Sequence, residues 1–195
     1  MNKEEPPMNS NPGIRKIVIA GVLGSIAILL GVTQLGFIPV PTAAGTVTIV
    51  HIPVIVGAIL EGWGVGTAIG LIFGVTSLLE STIPLFKDPL VAIVPRLFIG
   101  LFSYLIYAAL KRKNEYIAIG AAGFIGSITN TVLVLTAAVL RNYLSLEVAV
   151  SVGLTNGIPE AIVSVIITIA VVAGWKKLTP NRKQKAKLLS EEVEG

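Results

Sequence analysis

The chain has 195 residues, 53% hydrophobic and 13% charged, with no cysteine and a formal net charge of +4; its mean hydropathy is +0.84. Soluble domains carry roughly a quarter of their residues as charges, so a soluble globular class is excluded and a multi-helix membrane protein is the natural class. The lack of cysteine removes disulfide frameworks, thiolate metal sites and cysteine nucleophiles, and the basic residues lie at chain junctions, where they read as membrane topology rather than as a nucleic-acid-binding stripe.

Residues 1–13 are polar, with Pro6, Pro7, Pro12 and the pair Glu4-Glu5, and are expected to form a disordered tail. The run from Ile14 to Phe37, apolar after Arg15-Lys16, is too long for the core of a signal peptide and predicts the first membrane helix. Ile38 to Thr48, with Pro39, Pro41 and Gly45, reads as a loop, and Ile49 to Leu60 as a short second span ending at Glu61-Gly62-Trp63-Gly64. The third span runs from Val65 to Ser81. Its Gly66, Gly70 and Gly74 recur at four-residue spacing, which places them on one face where another helix can approach closely. A loop with Pro84, Lys87, Asp88 and Pro89 leads to a fourth span, Leu90 to Leu110, closed by Lys111-Arg112-Lys113. The fifth covers Tyr116 to Leu140. After Arg141 and Glu147 the sixth covers Ser151 to Trp175, and a tail of basic and then acidic residues, 176–195, follows.

The fold class is therefore all-α integral membrane, with one six-helix domain over residues 14–175. Arg15-Lys16, Lys111 to Lys113 and Lys176 onward fall on one side of a six-span topology, whereas the opposite loops carry only Lys87 and Arg141, so both termini are expected to be cytoplasmic. Trp63 and Trp175 fall at the same side, at the level where an indole suits the interface.

Buried polar residues point to function. Counted from the cytoplasmic ends at ~1.5 Å per residue, Arg96 and Asn130 lie ~21 Å and Glu160 ~22 Å up their helices. His51, Glu80, Thr129 and Asn156 fall in the same outer zone, and the simplest arrangement is one polar pocket opening outward. Pro95 and Pro159 each free a carbonyl one turn earlier, Val91 and Thr155, that can face it. Plainer readings stand beside this one. Arg96 with Glu160 or Glu80 is also explained as a buried ion pair fixing helix packing, and the prolines as first-turn residues. His51 suits an interfacial position as well as a ligand contact, Thr129 can bond back to its own helix, and Glu80, Lys87 and Asp88 are expected to be solvated.

Catalytic signatures are missing. With one histidine there is no H-E-x-x-H pair, no glycine is followed by lysine as a P-loop requires, and no G-x-S-x-G elbow occurs. The chain reads as no enzyme and cannot drive transport by ATP alone.

The run Pro39-Val40-Pro41 through His51-Ile52-Pro53-Val54-Ile55-Val56-Gly57-Ala58, then Gly62-Trp63-Gly64-Val65-Gly66 and Gly70-Leu71-Ile72-Phe73-Gly74, resembles the substrate-binding S components of energy-coupling factor (ECF) vitamin transporters. Gly126-Ser127-Ile128-Thr129-Asn130-Thr131-Val132-Leu133-Val134 and Asn156-Gly157-Ile158-Pro159-Glu160-Ala161 extend the resemblance and are most similar to the pantothenate type. The resemblance implies a protein of a prokaryotic plasma membrane that captures a vitamin on its outward side, needs no cofactor, and docks on a transmembrane coupling subunit with two ATPase subunits. In the family, helix one presents an alanine pair at four-residue spacing to the coupling subunit. Here Ala20 with Gly24 and Ala27 with Gly31 occupy such positions, which either dock or pack helix one within the chain. Few aromatics argue against a flat-ring substrate. Arg96 suits a carboxylate, and Asn130, Thr129 and Asn156 suit hydroxyl and amide groups, an inventory matching pantothenate; niacin and hydroxymethylpyrimidine are the other small vitamins in play. A stand-alone secondary transporter coupled through Glu160 or Glu80, and a membrane scaffold, are the alternatives from other classes.

Overall fold

A computed structural model describes residues 12–39 and 46–178. The N-terminal tail up to Asn11, Pro41 and Gly45 of the expected loop, and the tail beyond Leu178 lie outside the described residues. Among the described residues five helices are long and apolar enough to cross a membrane: Pro12–Val32, Trp63–Glu80, Pro89–Leu110, Glu115–Leu140 and Leu146–Lys177.

Helix α1 (Pro12–Val32) starts on a proline, whose missing N–H costs nothing in a first turn. It stops short of Phe37, because Gln34 turns the backbone to a φ of 58° and Gly36 lies where a Cβ would stand 2.9 Å from the Leu30 carbonyl oxygen. Phe37 instead enters strand β1 (Phe37–Pro39), paired antiparallel with β2 (Thr46–Thr48), Phe37 facing Thr48 and Pro39 facing Thr46. Part of the expected loop is thus a hairpin. Helix α2 (Ile52–Glu61) follows. Its ten residues reach ~15 Å, half of a ~30 Å hydrocarbon core, and β2 and the turn at Val50-His51 carry the chain onward from its start.

Gly62, at a φ of 99°, separates α2 from α3 (Trp63–Glu80). The glycines of α3 do what their spacing predicts. A Cβ on Gly66 would lie 2.9 Å from the Gly100 Cα, one on Gly74 2.9 Å from the Ile93 Cα, and one on Gly70 would strike the Arg96 carbonyl. Backbone therefore meets backbone along this crossing.

The expected fourth span is interrupted. After a 3-10 turn (Pro84–Lys87), the single-turn α4 (Pro89–Ala92) and α5 (Val94–Leu110) join at Ile93, since Pro95 has no N–H to offer the Val91 carbonyl. Helix α6 (Glu115–Leu140) is capped by Asn114, whose side chain accepts the Ile117 N–H at 3.1 Å. The sixth span starts earlier than Ser151, as α7 (Leu146–Val152), and reaches α8 (Ile158–Leu178) through a π turn, Gly153–Gly157. That turn precedes Pro159, and wider i to i+5 bonding is one way a helix re-satisfies carbonyls that a proline leaves free.

One end of the bundle gathers Arg15, paired with Glu61 at 2.7 Å, and Lys176, bonded to Glu115 and, at 2.8 Å, to the Tyr107 hydroxyl. At the other end Asp88 is buried rather than solvated. It accepts the Leu90 N–H at 2.9 Å, capping α4, and the Arg141 Nε–H at 2.6 Å. The Arg141 guanidinium, helped by the Leu90 N–H, holds the Asp88 carboxyl below its usual range. A clasp so built is complete above ordinary carboxylate titration and loosens as pH falls through the lowered value. Glu80 is exposed, as expected.

Candidate functional site

The clasped end carries most of the polar residues singled out by sequence. Arg96, in the first turn of α5, is 4% exposed and forms no ion pair among the described residues. Its Nη1 donates to the Val91 carbonyl at 2.6 Å, so the carbonyl released by Pro95 is taken by the next side chain along. The guanidinium carbon lies 5.2 Å from the Phe73 ring centroid and 4.9 Å from that of Phe86, distances at which each π face holds the charge. Nε has no hydrogen-bond partner among the described residues. A buried cation stabilised by rings and one carbonyl, with no carboxylate opposite it, is short of an anion.

His51 is fully buried at the start of α2, and both its ring nitrogens lack a hydrogen-bond partner among the described residues. Asn130 is 7% exposed, with Oδ1 unpartnered. Its placement relative to Arg96 follows from helix geometry. A Cβ on Gly126 would meet Ser103 Oγ, so these two residues are level on antiparallel α5 and α6. Arg96 lies seven residues and Asn130 four residues outward from that level, a difference of ~4.5 Å in depth. Ser103 and Ser127 are also buried, their hydroxyls without a partner among the described residues.

Glu160 is held apart from this group. Its Oε1 accepts the Thr48 N–H at 3.0 Å and its Oε2 the Thr131 hydroxyl at 3.4 Å. Neither Glu160 nor Glu80 pairs with Arg96 among the described residues, so the buried-ion-pair reading of Arg96 does not hold. Thr129 is half-buried, and Asn156, half-buried in the π turn, accepts the Thr155 hydroxyl at 3.3 Å. The structure thus buries Arg96, His51 and Asn130 and ties Glu160 to the hairpin and to α6. Sequence reasoning missed Phe73, Phe86, Ser103, Ser127, Thr48 and Thr131. A signal existed for the serines: Ser103 follows Arg96 by two turns and Ser127 precedes Asn130 by one, both at helical spacing on buried faces.

On α1, Gly24 and Ala27 turn inward. A Cβ on Gly24 would lie 2.8 Å from Ile72 Cδ1 of α3, and Ala27 is fully buried; Ala20 and Gly31 are half-buried. These positions pack α1 within the chain. The exposed flank of the helix carries Gly21, with nothing within 4 Å of a built Cβ, and Ser25. Two clefts of about 400 and 280 Å³ lie at the lysine-rich end, one lined by Lys16, Trp63 and Tyr104, the other by Tyr116 and Lys176, away from the Arg96 group.

Residues 15–172 match the family described as ECF transporter, substrate-specific component. The chain is similar to the pantothenic acid transporter PanT of Lactococcus lactis subsp. cremoris (strain MG1363), 34% identical over 69% of this chain and 80% of that protein. Among solved structures it is similar to ThiT from Listeria monocytogenes, with a TM-score of 0.66 at 18% identity, covering 86% of this chain and 98% of ThiT. At that identity the likeness speaks for the fold.

Proposed function

The chain belongs to the family of ECF transporter substrate-specific components, multi-pass proteins of the cell membrane, and from this we propose that it binds pantothenate and delivers it to an ATP-driven coupling complex. The observation that carries the substrate is Arg96: a buried guanidinium whose Nε has no partner and which meets no carboxylate among the described residues suits a vitamin that brings its own carboxylate. Asn130 Oδ1 and both His51 ring nitrogens, buried and without a partner among the described residues, suit the amide and hydroxyls of the same molecule, and the half-buried Thr129 and Asn156 are further candidates for them. Similarity to a pantothenic acid transporter supports the assignment.

Mass spectrometry of small molecules carried through purification in detergent, followed by calorimetric titration, tests it. Pantothenate is expected both in the carried fraction and in a saturable isotherm. A different tightly held vitamin would keep the family role and displace the substrate; no binding of pantothenate at any concentration tried would sink the assignment.

Energy comes from partners in this reading, a transmembrane coupling subunit and two ATPases, and docking falls to the outward face of α1, where Gly21 and Ser25 leave the backbone approachable. The lysine-rich end faces the cytoplasm. Cysteines placed in intact cells at Asn114 and Lys87, both exposed and at opposite ends, are expected to separate: the first resists a membrane-impermeant maleimide and the second reacts. Labelling of Asn114 alone would invert the orientation.

A further inference from the structure

The sequence pointed to Glu160 as a substrate contact, yet both its carboxylate oxygens are engaged by the protein. We infer that Glu160 is a positioning residue, which fixes the edge of β2 and through it His51, and does not itself touch the substrate.

Among the described residues strand β2 has one neighbour, β1, so its other edge presents backbone groups that need partners. In water a solvent molecule would satisfy them. Within an apolar bundle an unpaired N–H costs several kcal/mol, and the Thr48 N–H, on the edge toward α8, is met by Glu160 Oε1. The Thr131 hydroxyl of α6 steadies the other oxygen, so the carboxylate ties the hairpin to α6 and α8 together.

From Thr48 the constraint passes to His51 through a short, bonded stretch. The Val50 N–H donates to Thr48 Oγ1 at 3.4 Å, the Ile49 N–H to the Gly36 carbonyl at 2.8 Å, and the Ile52 N–H to the Ile49 carbonyl at 3.0 Å. Val47 and Val50 are buried and His51 is fully so. With so little slack, a shift of Thr48 moves the imidazole. A substrate anion at Arg96 gives the same division of labour, since a carboxylate in contact with it would repel it.

The inference rests on the proposed substrate only for its binding readout, so the test adds one that needs no substrate. Spin labels at the exposed positions Phe37, on β1, and Leu146, on α7, report the hairpin's distance distribution by pulsed electron resonance. Glu160→Ala is expected to broaden that distribution in the free protein, while Glu160→Gln, which keeps an acceptor oxygen for Thr48, leaves it narrow. Pantothenate affinity should fall about tenfold for Ala, the scale of one hydrogen bond to a charged group, and stay near native for Gln. In a His51→Ala background, Glu160→Ala should cost little more, the coupling expected of residues acting in series. An unchanged distribution in Glu160→Ala with binding lost, or Gln failing as badly as Ala while the hairpin stays fixed, would overturn the inference and make Glu160 a direct contact. If the native protein bound no pantothenate, the distance distribution would still decide the point, and only the substrate assignment would fall.

Discussion

Arg96→Ala is expected to weaken pantothenate binding by roughly thirtyfold or more, the affinity equivalent of the ~2 kcal/mol lower limit for truncating one partner of a desolvated, hydrogen-bonded charge pair. Arg96→Lys should lose less, because it keeps the charge and sacrifices only the planar fork. The surroundings make the test clean. Among the described residues no carboxylate faces the guanidinium, so its removal strands no buried charge there, and the Val91 carbonyl is the one hydrogen-bonded group that loses a donor. The variant should therefore fold. Pantothenol, with an alcohol in place of the carboxylate, should bind the native protein poorly and lose little further affinity in Arg96→Ala, a non-additivity that only a direct carboxylate contact produces. A variant that melts early in detergent yet, while folded, binds pantothenate normally would make Arg96 a packing residue held by Phe73 and Phe86.

The second large effect separates two faces of α1. Gly21→Leu places its side chain where nothing lies within 4 Å, so thermal stability and pantothenate affinity of the isolated chain should stay native. Uptake by cells carrying the whole transporter should fall about tenfold or more, as expected when bulk enters the tightly packed centre of an interface. Gly24→Leu does the reverse: its Cβ would press on Ile72 at 2.8 Å, and overpacking of this kind commonly costs about 1–3 kcal/mol of stability. Detergent melting curves and radiolabelled uptake, measured on both variants, give the comparison. Native uptake in Gly21→Leu would exclude that face from docking.

Which parts of this molecule were legible in its sequence follows from what a one-dimensional pattern carries. Glycines at 66, 70 and 74 announced a close helix contact because their spacing and the helical repeat agree. Pro95 announced the free carbonyl at Val91, since the missing N–H is a property of the residue itself. Phe73 and Phe86 were invisible as partners of Arg96: they come from α3 and a 3-10 turn, and no repeat within an element says which rings will meet a side chain of another. The Asp88 and Arg141 clasp was hidden in the same way, across 53 positions. Helix α1 hid its inward side because most of its residues are apolar all round, which leaves periodicity nothing to mark. Phe37 closed the first apolar run and looked helical, because a short apolar segment reads alike as helix end or strand. Glu160 was legible as buried and unsolvated, but its partner is a backbone N–H, and any residue could have supplied that.

The crossing of α3 and α5 at Gly66 and Gly100 has a consequence for how sequences of this kind can vary. Where two side chains meet, a substitution on one helix can be absorbed by a smaller residue on the other. Here a Cβ on Gly100 would lie 2.7 Å from the Thr67 nitrogen and 2.8 Å from the Gly66 Cα, so there is no rotamer to turn and no neighbour to shrink. Compensation has no single-step route, and even alanine requires the two helix axes to part. A saturation library of this chain would record Gly66 and Gly100 as intolerant although neither reaches the Arg96 group, and a depletion map would draw one continuous hot zone out of two unrelated causes. Steric exclusion at the crossing and chemical complementarity at Arg96 separate only when folded abundance is scored alongside uptake.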